Sequence, residues 1–256
     1  MRSRFVRVRK PGKYKRRWCI LGFGEPDLTE VERETPTVNT NTVLLGLQAI
    51  ASHGLDLALG DIKNAFLQGG ALGRSGGPLY AEPTDIEGIP KDAVIERWKY
   101  VYGLVDAPRR WFETLTGNLK TDLQGNQSRL VCSVFLWHGC EGELRGIMVI
   151  QVDDVACGGT PEWFQEVAQP LRDIFPFGSW QEKAGKYYGR QLTQQADGTI
   201  TVSLRDRVAK MQTIPIKRER QAQPDEECTP LEIKQLRSVP GWPTGSRLKG
   251  DQTFPS

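Results

Sequence analysis

The sequence lacks cysteines placed to act together. Its five, Cys19, Cys132, Cys140, Cys157 and Cys228, are odd in number and form no CxxC pair. That excludes a disulfide framework and a zinc knuckle and fits a reducing, intracellular setting, cytoplasm or nucleus. Cys132, His138 and Cys140 lie close together, but no fourth ligand stands at a spacing that structural zinc would use. No apolar stretch reaches the roughly 18 residues needed to span a bilayer, and no signal-peptide core opens the chain, so a soluble protein with no membrane partner is expected. Internal repeats are absent as well.

Acid is missing from one end. Residues 1–18, MRSRFVRVRKPGKYKRRW, carry nine Lys or Arg and no Asp or Glu, whereas EPDLTEVERE, residues 25–34, is rich in acid. The formal charge of +3 hides this polarity. A basic arm suits a polyanion such as nucleic acid and reads equally as a solvated tail, and residues 1–12 are expected to be disordered. The chain as a whole is 38% hydrophobic and long enough, at 256 residues, for one large or two small domains.

The apolar pattern predicts mixed structure. TVNTNTVLLGLQAIASHG places Val43, Leu44, Leu47 and Ile50 on one helical face, with an Asn or Thr as cap and Gly54 as terminator. LDLALG alternates Leu55, Leu57 and Leu59 and predicts a strand ending at Asp61. Residues 72–92, rich in Gly and Pro, predict an irregular loop with at most one short strand. APRRWFETLTGNLKTDL predicts a helix with Pro108 near its start and Trp111, Phe112, Leu115 and Leu119 as a core stripe. LVCSVFLWH and LRGIMVIQV, joined by GCEGE, form a hairpin signature, and VACGG continues after a tight turn. A third helix starts at Thr160 and Pro161, turns Trp163, Phe164, Val167 and Leu171 inward, and should kink at Pro170. A second hairpin should turn at Asp197 and Gly198. These elements predict an α+β fold, a mostly antiparallel sheet with helices packed on one face.

In VIQVDDVACGG, residues 149–159, two adjacent acids interrupt a run that otherwise reads as buried strand. Burying a charge is costly unless it is paired or holds a metal. If the strand ending at Asp61 is a neighbour, Asp61, Asp153 and Asp154 converge at one sheet edge, where acids would raise one another's pKa unless divalent cations sit between them. Two Mg²⁺ ions roughly 4 Å apart are the arrangement that phosphoryl transfer uses, and Mn²⁺ is a substitute. Spacing alone leaves a capped turn and an ordinary strand terminator as the alternative.

DIKNAFLQG, YVYGLVDAPRRWF, VIQVDD and KYYGRQL occur in the order and approximate spacing of copia-type retrotransposon reverse transcriptases, and the chain resembles that family over about residues 13–216. The resemblance implies the fingers and palm of a right-hand polymerase. It implies an RNA-directed DNA polymerase with an RNA template, a DNA primer and deoxynucleoside triphosphates as partners. Asp61, Asp153 and Asp154 match the metal-binding acids, and the Ile62 carbonyl would be a further ligand. Phe66 resembles the aromatic gate that excludes a ribose 2′-OH. Lys15 and Arg17 match cations that contact the nucleotide phosphates, and Tyr188 and Gly189 resemble the hairpin that grips the primer.

Three departures from the family pattern favour a second reading, a catalytically silent remnant that binds nucleic acid. Gln151 stands where Tyr is usual, Val105 and Asp106 replace Lys-Gln, and the ending after Gly241 lacks the expected apolar helix and Arg-Pro-Asp string. Asp106 would repel a triphosphate, and residues 217–256 are expected to be a truncated connection and a disordered tail without an RNase H domain. A metal-dependent nuclease is a third reading, disfavoured because nothing resembling a general base accompanies the acids.

Overall fold

The computed structural model describes residues 1–10, 12–25, 32–72, 77–84, 86, 88–90, 92–209, 218–222 and 225–238. The ending after Gly241 lies outside the described residues. The chain divides into two compact units, Met1–Val202 and Ser203–Ser256.

The first unit opens with β1 (Ser3–Lys10) and β2 (Lys13–Ile20), an antiparallel hairpin in register from Ser3↔Ile20 to Lys10↔Lys13. The arm expected to be disordered over residues 1–12 is therefore a strand. Its alternation, masked in the sequence by arginine, sets Phe5 opposite Trp18 on one face and Val6 and Val8 on the other. The base is tied down: the Met1 amino group donates to the Tyr80 carbonyl (2.7 Å), Ser3 Oγ to the Glu82 carbonyl (2.6 Å), and Trp18 Nε1 to Ser3 Oγ (2.9 Å).

Next comes α1 (Thr40–Ser52), capped by Asn39, whose side chain accepts from the Thr42 amide at 2.8 Å. It leads to β3 (Asp56–Ile62) and a single turn, α2 (Ala65–Gln68). The Gly- and Pro-rich segment contributes β4 (Leu79–Ala81), paired with β5 (Ile95–Arg97). Then follow α3 (Ala107–Thr121), β6 (Asn126–Gln127), β7 (Val134–His138), β8 (Leu144–Gln151) and β9 (Asp154–Gly159).

Thr160 caps α4 (Pro161–Trp163), accepting from the Trp163 amide. This helix passes through a π-helical turn, Phe164–Ala168, into α5 (Gln169–Ile174). The disturbance expected at Pro170 takes that form: the Gln169 amide donates to the Phe164 carbonyl, five residues back, just before the proline that has no amide to give. The unit closes with β10 (Phe177–Glu182), β11 (Ala184–Tyr187), β12 (Arg190–Gln194) and β13 (Ile200–Ser203).

Six strands form one antiparallel sheet in the order β10-β3-β9-β8-β7-β6, and β11-β12-β13 form a second, smaller sheet. Helix with antiparallel sheet agrees with the α+β expectation. The expectation of helices on one face is corrected: both faces are covered. One face presents Leu57, Leu59, Ile147, Val149 and Ala156 to α1 and to Tyr187 and Leu192 of the small sheet. The other presents Ala58, Met148, Ile150, Val155 and Cys157 to Trp111, Leu115 and Leu119 of α3 and to Trp163 and Leu171 beyond. Each such buried Leu, Ile, Val or Met side chain contributes about 1.5–3 kcal/mol.

Two adjacent glycines of β9 admit the helices on opposite sides. A Cβ on Gly158 would lie 2.5 Å from Ile50 of α1, and one on Gly159 would lie 2.2 Å from the Trp163 ring. The same closeness rotates α1. Its inward stripe is Val43, Gly46, Leu47 and Ile50, because a Cβ at Gly46 would come within 2.7 Å of Val149, and Leu44, expected to face inward, is exposed.

The second unit holds α6 (Arg205–Val208), α7 (Arg218–Gln221) and α8 (Pro230–Ser238). Thr229 and Glu232 start α8 as a capping box: the Thr229 amide donates to Glu232 (2.7 Å) and the Glu232 amide to Thr229 Oγ1 (3.3 Å).

Candidate active site

β3 and β9 are ladder neighbours, and their register sets Asp61 directly opposite Asp154. Directly paired residues share a face, so both carboxylates emerge on the side that carries Leu57 and Leu59. Asp153 joins them from the two-residue turn Val152–Asp153 that links β8 to β9, where Gln151 pairs with Asp154. Val152 has φ 58°, a left-handed conformation that a β-branched residue adopts at a cost. The turn is held from two sides: Trp111 Nε1 donates to the Val152 carbonyl (2.8 Å), and the Ile62 amide donates to the Asp153 carbonyl (2.8 Å).

Ligand oxygens of Asp61, Asp153 and Asp154 lie within 4.8 Å of one another, and all three residues are half-buried. Burial, with repulsion from Asp61, pushes the Asp153 carboxyl up, against its own backbone hydrogen bond and the pull of Arg17 and Lys15. Burial and repulsion from Asp153 and Asp61 push Asp154 up to about 6, opposed by a hydrogen bond from the Tyr188 backbone. For the protein alone this clustering is unfavourable, and a divalent cation is the kind of charge that would offset it. A purely oxygen donor set of this kind fits Mg²⁺ or Mn²⁺. It is the one such cluster of three among the described residues.

Lys15 and Arg17 alternate on β2 and share the face that reaches Asp153. The Arg17 guanidinium lies 5.0 Å from the centroid of the Tyr102 ring, and Tyr102 meets Phe66 edge to face at 5.5 Å. Burial raises the Tyr102 phenol, Arg17 lowers it, and Asp153 and Asp61 add to the rise. Phe66 is half-buried on α2, packed against two core clusters. Ile62 buries its side chain in the core.

Tyr188 and Gly189 form the turn between β11 and β12, with φ 47° and 72°, the left-handed pair of a type I′ hairpin. Arg190 donates to Thr40 Oγ1 at 2.9 Å and lies over the Tyr188 ring at 5.6 Å, fastening this turn to the start of α1.

The departures acquire definite places. Asp106 is 1% exposed at the start of α3, its carboxylate 3.9 Å from Arg110. It does not project into open space. The Val105 amide donates to Glu25 at 2.9 Å. Gln151 Oε1 accepts from the Val38 amide at 3.0 Å, holding the strand before the acids to the segment that enters α1.

The reverse transcriptase (RNA-dependent DNA polymerase) family model, the family found in copia-type elements, matches residues 4–216. This chain belongs to the reverse transcriptase family. No curated protein matches it. The reverse transcriptase match begins inside β1, so the basic arm belongs to the domain. Sequence reasoning missed Tyr102 and the tie made by Gln151. Tyr102 stands within YVYGLV, and nothing in that string marks which ring meets a cation from β2.

Proposed function

We propose that this reverse transcriptase domain is an RNA-directed DNA polymerase of a copia-type retrotransposon Pol polyprotein, extending a DNA primer along an RNA template by two-metal nucleotidyl transfer inside the cell. The observation that carries the reading is the convergence of Asp61, Asp153 and Asp154 within 4.8 Å at the end of the β3–β9 ladder.

In this reading the primer 3′-oxygen bonds to the α-phosphorus of a deoxynucleoside triphosphate. The bond to the β-phosphate breaks, pyrophosphate leaves, and the 3′-hydroxyl proton passes to solvent. Asp61, Asp153 and Asp154, with the Ile62 carbonyl, would hold two Mg²⁺ ions or Mn²⁺. Bound there, the ions would acidify the 3′-hydroxyl and draw charge from the leaving group. Lys15 and Arg17 bind the triphosphate, one as a point charge and the other as a planar fork. Tyr102 keeps Arg17 in place through its ring face. Phe66 closes the sugar pocket against a 2′-hydroxyl. Tyr188 and Gly189 seat the primer terminus beside Asp154. Burial of Asp106 supports this reading over the silent remnant, since the added carboxylate is paired with Arg110 rather than aimed at the nucleotide.

The test is extension of a primed RNA template. Wild-type protein should incorporate deoxynucleotides only with Mg²⁺ or Mn²⁺, and Asp153→Asn should lower the rate by about 100-fold or more while retaining its fold, as expected when a metal ligand is lost. Extension that survives Asp153→Asn would remove the acids from the mechanism.

A further inference from the structure

β10 runs beside the acids with one residue more than its partner strand. Its register against β3 pairs Phe177 with Ile62 and Ser179 with Asp61, which leaves Gly178 as the extra residue of a β-bulge. Each face of the sheet registers the bulge. Phe177 and Trp180, three residues apart, would point to opposite faces of a regular strand. Instead their rings meet edge to face at 5.3 Å, and a Cβ on Gly60 would lie 2.5 Å from Phe177 and 2.9 Å from Trp180. Both rings therefore lie on the face of Gly60, and the two residues between them fall on the other face, from which Asp61 emerges. There a Cβ on Gly178 would stand 2.8 Å from Asp61 Oδ2. The Asp61 carbonyl oxygen at 3.6 Å and Lys63 Cβ at 3.9 Å are ordinary contacts, so the carboxylate alone is in the way.

We propose that Gly178 is a positioning residue for the acid cluster: its missing side chain is what lets the Asp61 carboxylate turn toward Asp153 and Asp154, where a divalent cation would be held. Space rather than backbone freedom explains this glycine, because its φ is not positive. The backbone of Asp61 has little room to yield. It is paired on both sides, with Ser179 of β10 and with Asp154 of β9, and just beyond it the Lys63 amide donates to the Pro176 carbonyl at 2.9 Å. A methyl group at position 178 must therefore be met by rotation of the carboxylate, the far end of a short side chain. That rotation costs the fold little and costs the cluster a ligand. The cation in this proposal rests on the polymerase reading; the close approach of Gly178 to Asp61 does not.

The experiment titrates Mn²⁺ into the full chain, without nucleotide or nucleic acid, for wild type, Gly178→Ala, Asp61→Ala and the double variant, and melts each in chelator. Gly178→Ala should melt within about 2 °C of wild type and bind Mn²⁺ about tenfold more weakly, as expected when a group that orients a metal ligand is disturbed. In the Asp61→Ala background the same alanine should change Mn²⁺ affinity by less than about twofold, because the carboxylate it displaces is gone. Gly178→Ala that binds Mn²⁺ like wild type, or that loses as much affinity with Asp61→Ala as without it, would overturn the proposal. So would a loss of fold that Asp61→Ala does not relieve. Should wild type take up no Mn²⁺, the polymerase reading falls, and a crystal structure of metal-free Gly178→Ala still decides the proposal. An Asp61 carboxylate turned away from Asp153 supports it, and an unmoved carboxylate refutes it.

Discussion

At the scale of single residues the site is built from unfavourable choices that support one another. Asp154 sits half-buried beside two other acids, its carboxyl moved from 3.8 to about 6. The folded state then binds a proton more tightly than the unfolded chain does. The resulting stability is full below the unfolded value and is lost as pH rises through about 6. Metal-free wild-type protein should therefore melt at a lower temperature at pH 7 than Asp154→Asn, and the gap should shrink by about half as the pH is brought to 5. Thermal denaturation of both proteins across that range checks this; a gap that widens on acidification would contradict it. Added Mg²⁺ should raise the wild-type midpoint at pH 7 and leave the variant nearly unmoved. Gln151 belongs to this scale too. It departs from its family pattern, and its side-chain oxygen accepts from the Val38 amide.

Among the elements, β9 carries the most constraint. It ends in the acids on one side and in Gly158 and Gly159 on the other, and the glycines let α1 and Trp163 close over both faces of the sheet. Gly159→Ala would drive a methyl group into a buried indole and should cost about 1–3 kcal/mol. Gly117→Ala, in the interior of α3 where a Cβ meets nothing within 4 Å, should stabilise by about 0.5–1 kcal/mol. Chemical denaturation of the pair separates glycine required for close approach from glycine merely tolerated. The β8–β9 turn belongs with this strand. Val152 is held in a glycine-like conformation because Trp111 grips its carbonyl, so α3, an element with no acid in the site, sets where Asp153 stands.

For the whole molecule, local signals were legible and partnerships across the chain were not. The caps Asn39 and Thr160, the hairpin around GCEGE and the turn at Asp197 and Gly198 all follow from neighbours a few residues apart, and the structure has each of them. The acids were legible because a doublet in an apolar run is an energetic anomaly. What failed depends on distant partners. Charge argued for disorder in residues 1–12, and β2 with the β4 region supplied the pairing that overrules it. The pattern of elements suggested helices on one face of the sheet, and on the other side Ala58 and Gly60 of β3 are buried as well. Tyr102 meets Arg17 and Phe66 only once three separate stretches have come together.

That dependence on distant partners sets a timetable. β3 and β9 lie side by side although α2, α3 and five other strands intervene between them in the chain, so their ladder closes a long loop, the kind of contact that slows folding. The cation cluster cannot exist before that closure, whereas the hairpins β1–β2 and β7–β8 can form locally. In refolding of the full chain, recovery of strong Mn²⁺ binding should therefore track the slowest phase, lagging the return of far-ultraviolet circular dichroism; binding that appears with the first phase would mean that the acids assemble without the ladder. A nascent chain, on this account, has no cluster of acids until β9 has emerged and paired with β3, whose other edge then takes up β10.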